Sequence, residues 1–392
     1  MIRTGLERFC RNSRTGVEGL RVGLLSNQAS VDSHLVHSRE LLYHKLGNGL
    51  CCLFSPQHGF FGEKQDNMIE SGDMIDPVTN LPVFSLYGKT RKPTKQMFDH
   101  IDVLIIDMVD VGTRVYTFLY TMAYCLEMAA RWGKRVLVLD RPNPIGGVQV
   151  EGNVLVSSCR SFVGRYPLPM RHGLSFGELA CYINEEFSLN AELQVIVMEG
   201  WKRDMYFRDT GLPWIFPSPN MPTPETAIVY PGQVIWEGTT VSEGRGTTLP
   251  FELVGAPYWQ PEKIIDRIAD TELPGCVLRP IIFEPTSGKW AGTTCHGFHL
   301  HVTDHKTFMP YRTSIALLQA VYLLYPEDFS YKPPPYEYEY EKMPMDMIIG
   351  DQKVRKGLES GIPVIELEAG WQESLAAFRE CRQKYLLYDN LS

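Results

Sequence analysis

Apolar residues in the first 140 positions come in short runs. Arg21–Leu25, Cys51–Phe54, Val83–Leu86, Val103–Ile106 and Arg135–Leu139 are each about five residues long and rich in Val, Ile, Leu or Phe. Runs this short, with no polar alternation, predict strands buried on both faces of a parallel sheet. Between the last two runs, Phe118, Met122, Leu126 and Ala129 recur at the spacing of one helix face. Ser175 and Glu178 stand at capping-box spacing, and Leu179, Ile183 and Phe187 follow on one face, which predicts a helix starting at Ser175. Leu193–Met198 reads as another strand. Strands alternating with helices predict an α/β, Rossmann-like domain with a mainly parallel sheet.

The alternation weakens after about Pro231. Just before it, Gly211–Pro224 carries Pro213, Pro217, Pro219, Pro222 and Pro224, which rule out regular structure. Its aromatic content predicts an ordered loop presenting Trp214, Phe216 and Asn220. Beyond it, Val277–Phe283 and Phe298–Val302 read as strands, and Ile315–Leu324 as a helix stopped before Pro326. The Pro- and Tyr-rich segment Lys332–Tyr340 reads as a surface connection, and Trp371, Leu375 and Phe378 mark a last helix. The expected organisation is a Rossmann-like domain over residues 1–232 and a smaller α+β domain over residues 233–392.

The 392 residues are 44% hydrophobic and 21% charged, an ordinary globular balance. The net charge of -8, with no Lys/Arg-rich run, argues against a nucleic-acid partner. Nine cysteines, an odd count lying mostly in apolar runs, suit buried thiols in a reducing compartment. The first residues, Met1–Arg8, contain no apolar core of a signal peptide, and no stretch reaches the length of a membrane span. The expectation is a cytoplasmic protein, or a periplasmic or secreted one if a leader has been trimmed away.

In open α/β sheets, ligands bind beyond the carboxyl ends of the strands. The residues following the expected strands are polar: Asn27, then Gln57 and His58, Tyr87, Asp107 with Asp110, and Arg141 with Asn143. Helix caps favour the same residue types, so the set carries more weight than any member. No Gly-x-Gly-x-x-Gly or Walker A pattern follows the first strand, which argues against a dinucleotide or nucleoside triphosphate. In the segment after His58, Glu63 follows Phe60 and Phe61. An apolar neighbourhood raises a carboxyl pKa and suits a general acid. Glu237, Glu243 and Arg245 lie among small residues in a second candidate turn, where Arg245 has the geometry to grip a carboxylate. Cys295, His296, His299, His301 and His305 match no common zinc spacing, so no metal is expected. No Gly-x-Ser-x-Gly elbow is present.

Taken in order, a set of motifs gives these residues a common meaning. They include Gly23-Leu24-Leu25-Ser26-Asn27-Gln28, Phe54-Ser55-Pro56-Gln57-His58-Gly59, Leu81–Gly88, Asp107–Thr117 and Asp140–Gly147. Glu151-Gly152, Pro169–Gly173, Pro217–Pro222, Glu237–Thr239, Ser242–Thr247 and His301–Asp304 complete the series. From about residue 20 onward the chain resembles the NamZ family of exo-β-N-acetylmuramidases, long catalogued as a domain of unknown function (DUF1343). The resemblance implies a Rossmann-like domain and a smaller C-terminal domain with a cleft between them. It implies cofactor-free hydrolysis of the β-1,4 bond after a non-reducing-end N-acetylmuramic acid (MurNAc) in peptidoglycan fragments. Many relatives carry Glu at the position of Gln57, and an amide there cannot donate the catalytic proton.

Glycosidases use one carboxylic acid and one carboxylate. On this reading Glu63 is the acid, assisted by His58, and Asp107 or Asp110 is favoured over Glu237 and Glu243 as the second group. Arg114, Arg141, Arg171 or Arg245 binds the lactyl carboxylate. Asn27, Gln57, Asn143, Asn220 and His172 serve the acetamido and hydroxyl groups, and Tyr116, Trp214 or Phe216 packs on the sugar face. The alternative is a non-catalytic protein that binds muropeptides.

Overall fold

The structure is a computed structural model, and it describes residues 1–388. Seven strands form the main sheet: β1 (Val22–Ser26), β2 (Leu50–Ser55), β3 (Met74–Ile75), β4 (Pro82–Ser85), β5 (Val103–Asp107), β6 (Arg135–Leu139) and β7 (Glu192–Ile196). Their order is β3-β4-β2-β1-β5-β6-β7. Every neighbouring pair is parallel except β3 with β4. The chain direction across the sheet reverses beside β1, which gives the doubly wound topology the strand and helix alternation implied.

The short apolar runs are continuous because both faces of the sheet are covered. Alternate residues of one strand enter opposite layers. Leu104, Ile106, Val136 and Val138 join the larger apolar cluster, whereas Val103, Ile105, Leu137 and Leu139 join the smaller one. The smaller layer is closed by the helices Gly5–Arg11 and Ser38–Leu46 through Leu6, Phe9 and Leu42. The larger layer holds the helices Phe118–Arg131 and Phe176–Glu186. The second of these starts with the expected capping box, Ser175 with Glu178.

A three-stranded antiparallel sheet follows, ordered β8-β10-β9, with β8 (Leu253–Ala256), β9 (Cys276–Phe283) and β10 (Cys295–Val302). Helices surround it: Pro224–Gln233, Pro261–Arg267, Pro310–Leu324 and a C-terminal group ending at Arg382. The larger apolar cluster runs without a break from Leu25 of the parallel sheet to Tyr385. The two parts therefore share one core, and polar residues that meet at their junction are held firmly. No helix among the described residues is long and apolar enough to cross a membrane.

Candidate active site

Past the carboxyl ends of β2, β4 and β5, the chain turns into loops that meet the C-terminal part. There they enclose a cavity of about 460 Å³, counting its mouth. Gln57 and His58 reach it from the end of β2, and Tyr116 and Thr117 from the connection after β5. Ser218, Asn220 and Met221 come from the Pro-rich loop. Glu237 sits on a 3-10 turn, Val234–Gly238, that continues the helix Pro224–Gln233. Arg245, Tyr336 and Glu337 complete the wall.

Two carboxyl groups face this cavity, and their surroundings differ. Glu237 is enclosed by donors: Arg245 Nη2 at 2.5 Å, the Tyr336 hydroxyl at 2.6 Å and Asn67 Nδ2 at 3.3 Å. Arg245 is itself flanked by Glu243 at 3.3 Å, and Glu243 by Lys289 at 2.6 Å. This chain of alternating charges holds the Glu237 side chain in place through three donors.

Glu337 has no cation in hydrogen-bond contact. It accepts from the Tyr87 hydroxyl at 2.5 Å and from Gln57 Nε2 at 3.1 Å. It is 4% exposed, and burial pushes its carboxyl up to about 7 against the pull of those two hydrogen bonds. A carboxyl raised by burial in this way is suited to give up a proton near neutral pH.

Gln57 links the two sides of the site. Thr117 Oγ1 donates to Gln57 Oε1 at 2.5 Å, which turns the amide nitrogen toward Glu337. A carboxyl group does stand beside Gln57, and it is Glu337 rather than Glu63. His58 has a left-handed backbone, φ 74°, followed by Gly59 at φ 85°, which tightens the turn after β2. Its Nδ1 lies 2.7 Å from the Lys64 carbonyl oxygen, so Nδ1 carries the proton and donates. Burial lowers its pKa to about 4, leaving Nε2 a neutral acceptor at the cavity. The Tyr116 hydroxyl is buried beside Ser218 and has no hydrogen bond of good geometry among the described residues.

Of the residues expected from sequence, Gln57, His58, Tyr116, Asn220, Glu237 and Arg245 come together here. The rest are used elsewhere. Asp107 and Arg141 form a buried bidentate ion pair at 2.7 and 2.8 Å. Asp110 accepts from the Gly112 backbone N–H, and burial pushes its carboxyl up to about 7. Arg114 donates to the carbonyls of Asn153, Leu168, Ile348 and Ile349, and Arg171 to Ile145 and Gln149. Asn27 ties Val109 to Ser30, Asn143 ties Leu174 to Ile145, and His172 Nδ1 accepts from the Leu174 N–H. Glu243 is a step behind Arg245. Glu63 is exposed and folds back so that the Phe61 N–H donates to it at 3.3 Å. Trp214 packs on Phe207, away from the cavity, and Phe216 is 44% exposed. Polar groups at strand ends here brace the loops that follow them, because each buried backbone group needs a partner.

Glu337 and Tyr336 were not among the expected site residues, whereas Tyr87 stood in the strand-end set without an assigned role. Lys332–Tyr340 read as a surface connection, yet Glu337 is buried in it and Tyr336 is half-buried. The signal was the alternation Tyr336, Glu337, Tyr338, Glu339, Tyr340, which is more aromatic than a solvated linker needs.

A doubly wound sheet that opens at its carboxyl ends on a cavity lined by two carboxyl groups is an arrangement of the kind glycosidases use. Residues 22–225 match the family model described as "Exo-beta-N-acetylmuramidase NamZ, N-terminal", and residues 228–388 match its C-terminal counterpart. The chain belongs to the NamZ family. It is 42% identical over 387 residues to the peptidoglycan beta-N-acetylmuramidase NamZ of Bacillus subtilis (strain 168), covering 99% of this chain and 91% of that protein. Two crystal structures of DUF1343 family proteins from Bacteroides fragilis NCTC 9343 share the fold. One has a TM-score of 0.88 at 35% identity over 99% of each chain, the other 0.78 at 28% identity over the whole of each.

Proposed function

We propose that the chain is an exo-β-N-acetylmuramidase that hydrolyses the β-1,4 bond after a non-reducing-end MurNAc in peptidoglycan fragments. The observation that carries this reading is the pair Glu237 and Glu337 in one cavity, within a chain related over its whole length to a muramidase. In this reading the substrate sits where a catalytic part, residues 1–232, meets an auxiliary part, residues 233–392. Arg245 is the cation at the cavity wall, and we assign it the lactyl carboxylate, the group that distinguishes MurNAc from N-acetylglucosamine (GlcNAc). Asn220, Gln57 and the bare Nε2 of His58 serve the acetamido and hydroxyl groups. Tyr116 offers its ring to the sugar face and its hydroxyl, beside Ser218, to a polar group. The reading invokes no cofactor.

The test is a pair of disaccharides, MurNAc-β-1,4-GlcNAc and GlcNAc-β-1,4-MurNAc, each incubated with the protein and followed by mass spectrometry. Free sugars are expected from the first and none from the second. Cleavage of both would replace the exo-specific reading with a general hexosaminidase. Cleavage of neither, with MurNAc still bound, would favour the muropeptide-binding alternative, for which the amide at Gln57 is the one supporting feature.

A further inference from the structure

We propose that Glu337 is the proton donor to the glycosidic oxygen, an assignment that rests on the muramidase reading and adds its acid. The geometry is specific. Glu337 lines the cavity, is almost wholly buried, and is held from two sides by neutral donors, Tyr87 and Gln57. Its backbone has φ 47° and that of Tyr338 φ 64°, so the strap is bent through the left-handed region at this point. A non-glycine residue kept there is strained and persists only where surrounding contacts over-determine it. Those contacts are visible. The Tyr338 hydroxyl donates to the Met68 carbonyl, its ring lies 3.5 Å from the Arg91 guanidinium, and Tyr336 donates to Glu237. The strap therefore aims one acid into the cavity and steadies the other.

The chemistry balances on these groups. Glu337 passes its proton to the glycosidic oxygen as the bond from that oxygen to C1 of MurNAc breaks, and the aglycone leaves as an alcohol. The Glu237 carboxylate offsets the positive charge growing at C1. Water then bonds to C1 and gives its proton to the Glu337 carboxylate, which restores the acid. The groups that set the titration of Glu337 are burial and Glu237, which keep it protonated, and Tyr87, Gln57 and Arg91, which oppose them. The active form is the protonated one, so the rate falls as pH rises through about 7.

The experiment is MurNAc release from MurNAc-β-1,4-GlcNAc by the full chain from pH 4 to 9. Glu337→Gln is expected to lower kcat by about 10²–10⁴-fold while MurNAc binding persists. If that variant does not fold, Tyr87→Phe carries the test. It removes a hydrogen bond that favours the charged form, so the alkaline limb of kcat/KM should move to higher pH. Wild-type turnover in Glu337→Gln, a wild-type rate level through pH 9, or a limb unmoved by Tyr87→Phe would each overturn the assignment alone. So would loss of release in Glu63→Gln with release retained in Glu337→Gln. No release by the wild-type chain would overturn the muramidase reading and this assignment with it.

Discussion

Asp107 shows why a polar residue at a strand end is ambiguous in sequence. It follows four apolar residues of β5, the place where an α/β enzyme commonly holds a catalytic acid. Here it closes on Arg141 from the end of β6, and both side chains are lost to water. The role of such a residue is decided by which partner the neighbouring loop delivers, and that partner is 34 positions away in the chain. Asn27 and Asn143 follow the same logic. Glu237 and Arg245, eight residues apart in one turn, were legible because their partnership is local. A prediction separates the two kinds of residue. Asp107→Asn leaves the Arg141 charge buried without its counter-ion, so urea unfolding should show a loss of about 3–5 kcal/mol. Turnover per folded molecule should stay within a few-fold of wild type. A kcat lowered by orders of magnitude at unchanged stability would return Asp107 to the chemistry.

At the scale of elements, the parallel strands were readable within a residue or two because a strand buried on both faces leaves an uninterrupted apolar run. β3 was not, being two residues long, and neither was β8, whose Leu253–Ala256 is too short and mixed to stand out. The helix Pro224–Gln233 was hidden behind the prolines that introduce it. Thr223 caps it, Pro224 occupies its first turn without needing a donor, and Pro231 lies inside it. That helix matters because its 3-10 continuation carries Glu237. It crosses the helix Pro310–Leu324 closely, and Gly232 makes the crossing possible. A Cβ there would lie 1.9 Å from the Pro310 carbonyl oxygen and 2.5 Å from Ser314 Oγ. Gly232→Ala should therefore force the helices apart, at about 1–3 kcal/mol, and lower the melting temperature. Because the displaced helix leads into Glu237, kcat/KM should also fall, by about 10²-fold for a shift near 1 Å. An unchanged melting temperature would show that the helices can separate freely, contrary to the packing described.

Across the whole molecule, the shared core that fixes the site also buries other carboxyl groups. Burial pushes Asp110 and Glu151 up to about 7 and Asp140 up to about 6. Each is a group whose folded value exceeds its unfolded one. Below about pH 4 both states hold the proton, and the contribution to stability is fully present. Between about pH 4 and 7 the unfolded chain has released a proton that the folded chain retains. Stability must then fall as pH rises, by up to about 1.4 kcal/mol per pH unit for each group. Asp110 isolates the effect, because among the described residues no cation pairs with it and one of its oxygens has no hydrogen-bond partner. Asp110→Asn cannot titrate, and its altered packing costs the same at every pH. Urea unfolding at pH 4.5, 5.5, 6.5 and 7.5 should therefore show the stability of the variant gaining on that of wild type as pH rises, then levelling above about 7. Parallel curves would mean that Asp110 is ionised in the folded protein throughout. A core able to hold that charge would have little cause to keep Glu337 protonated near neutral pH, so this stability measurement also bears on the proton donor at the junction of the two parts.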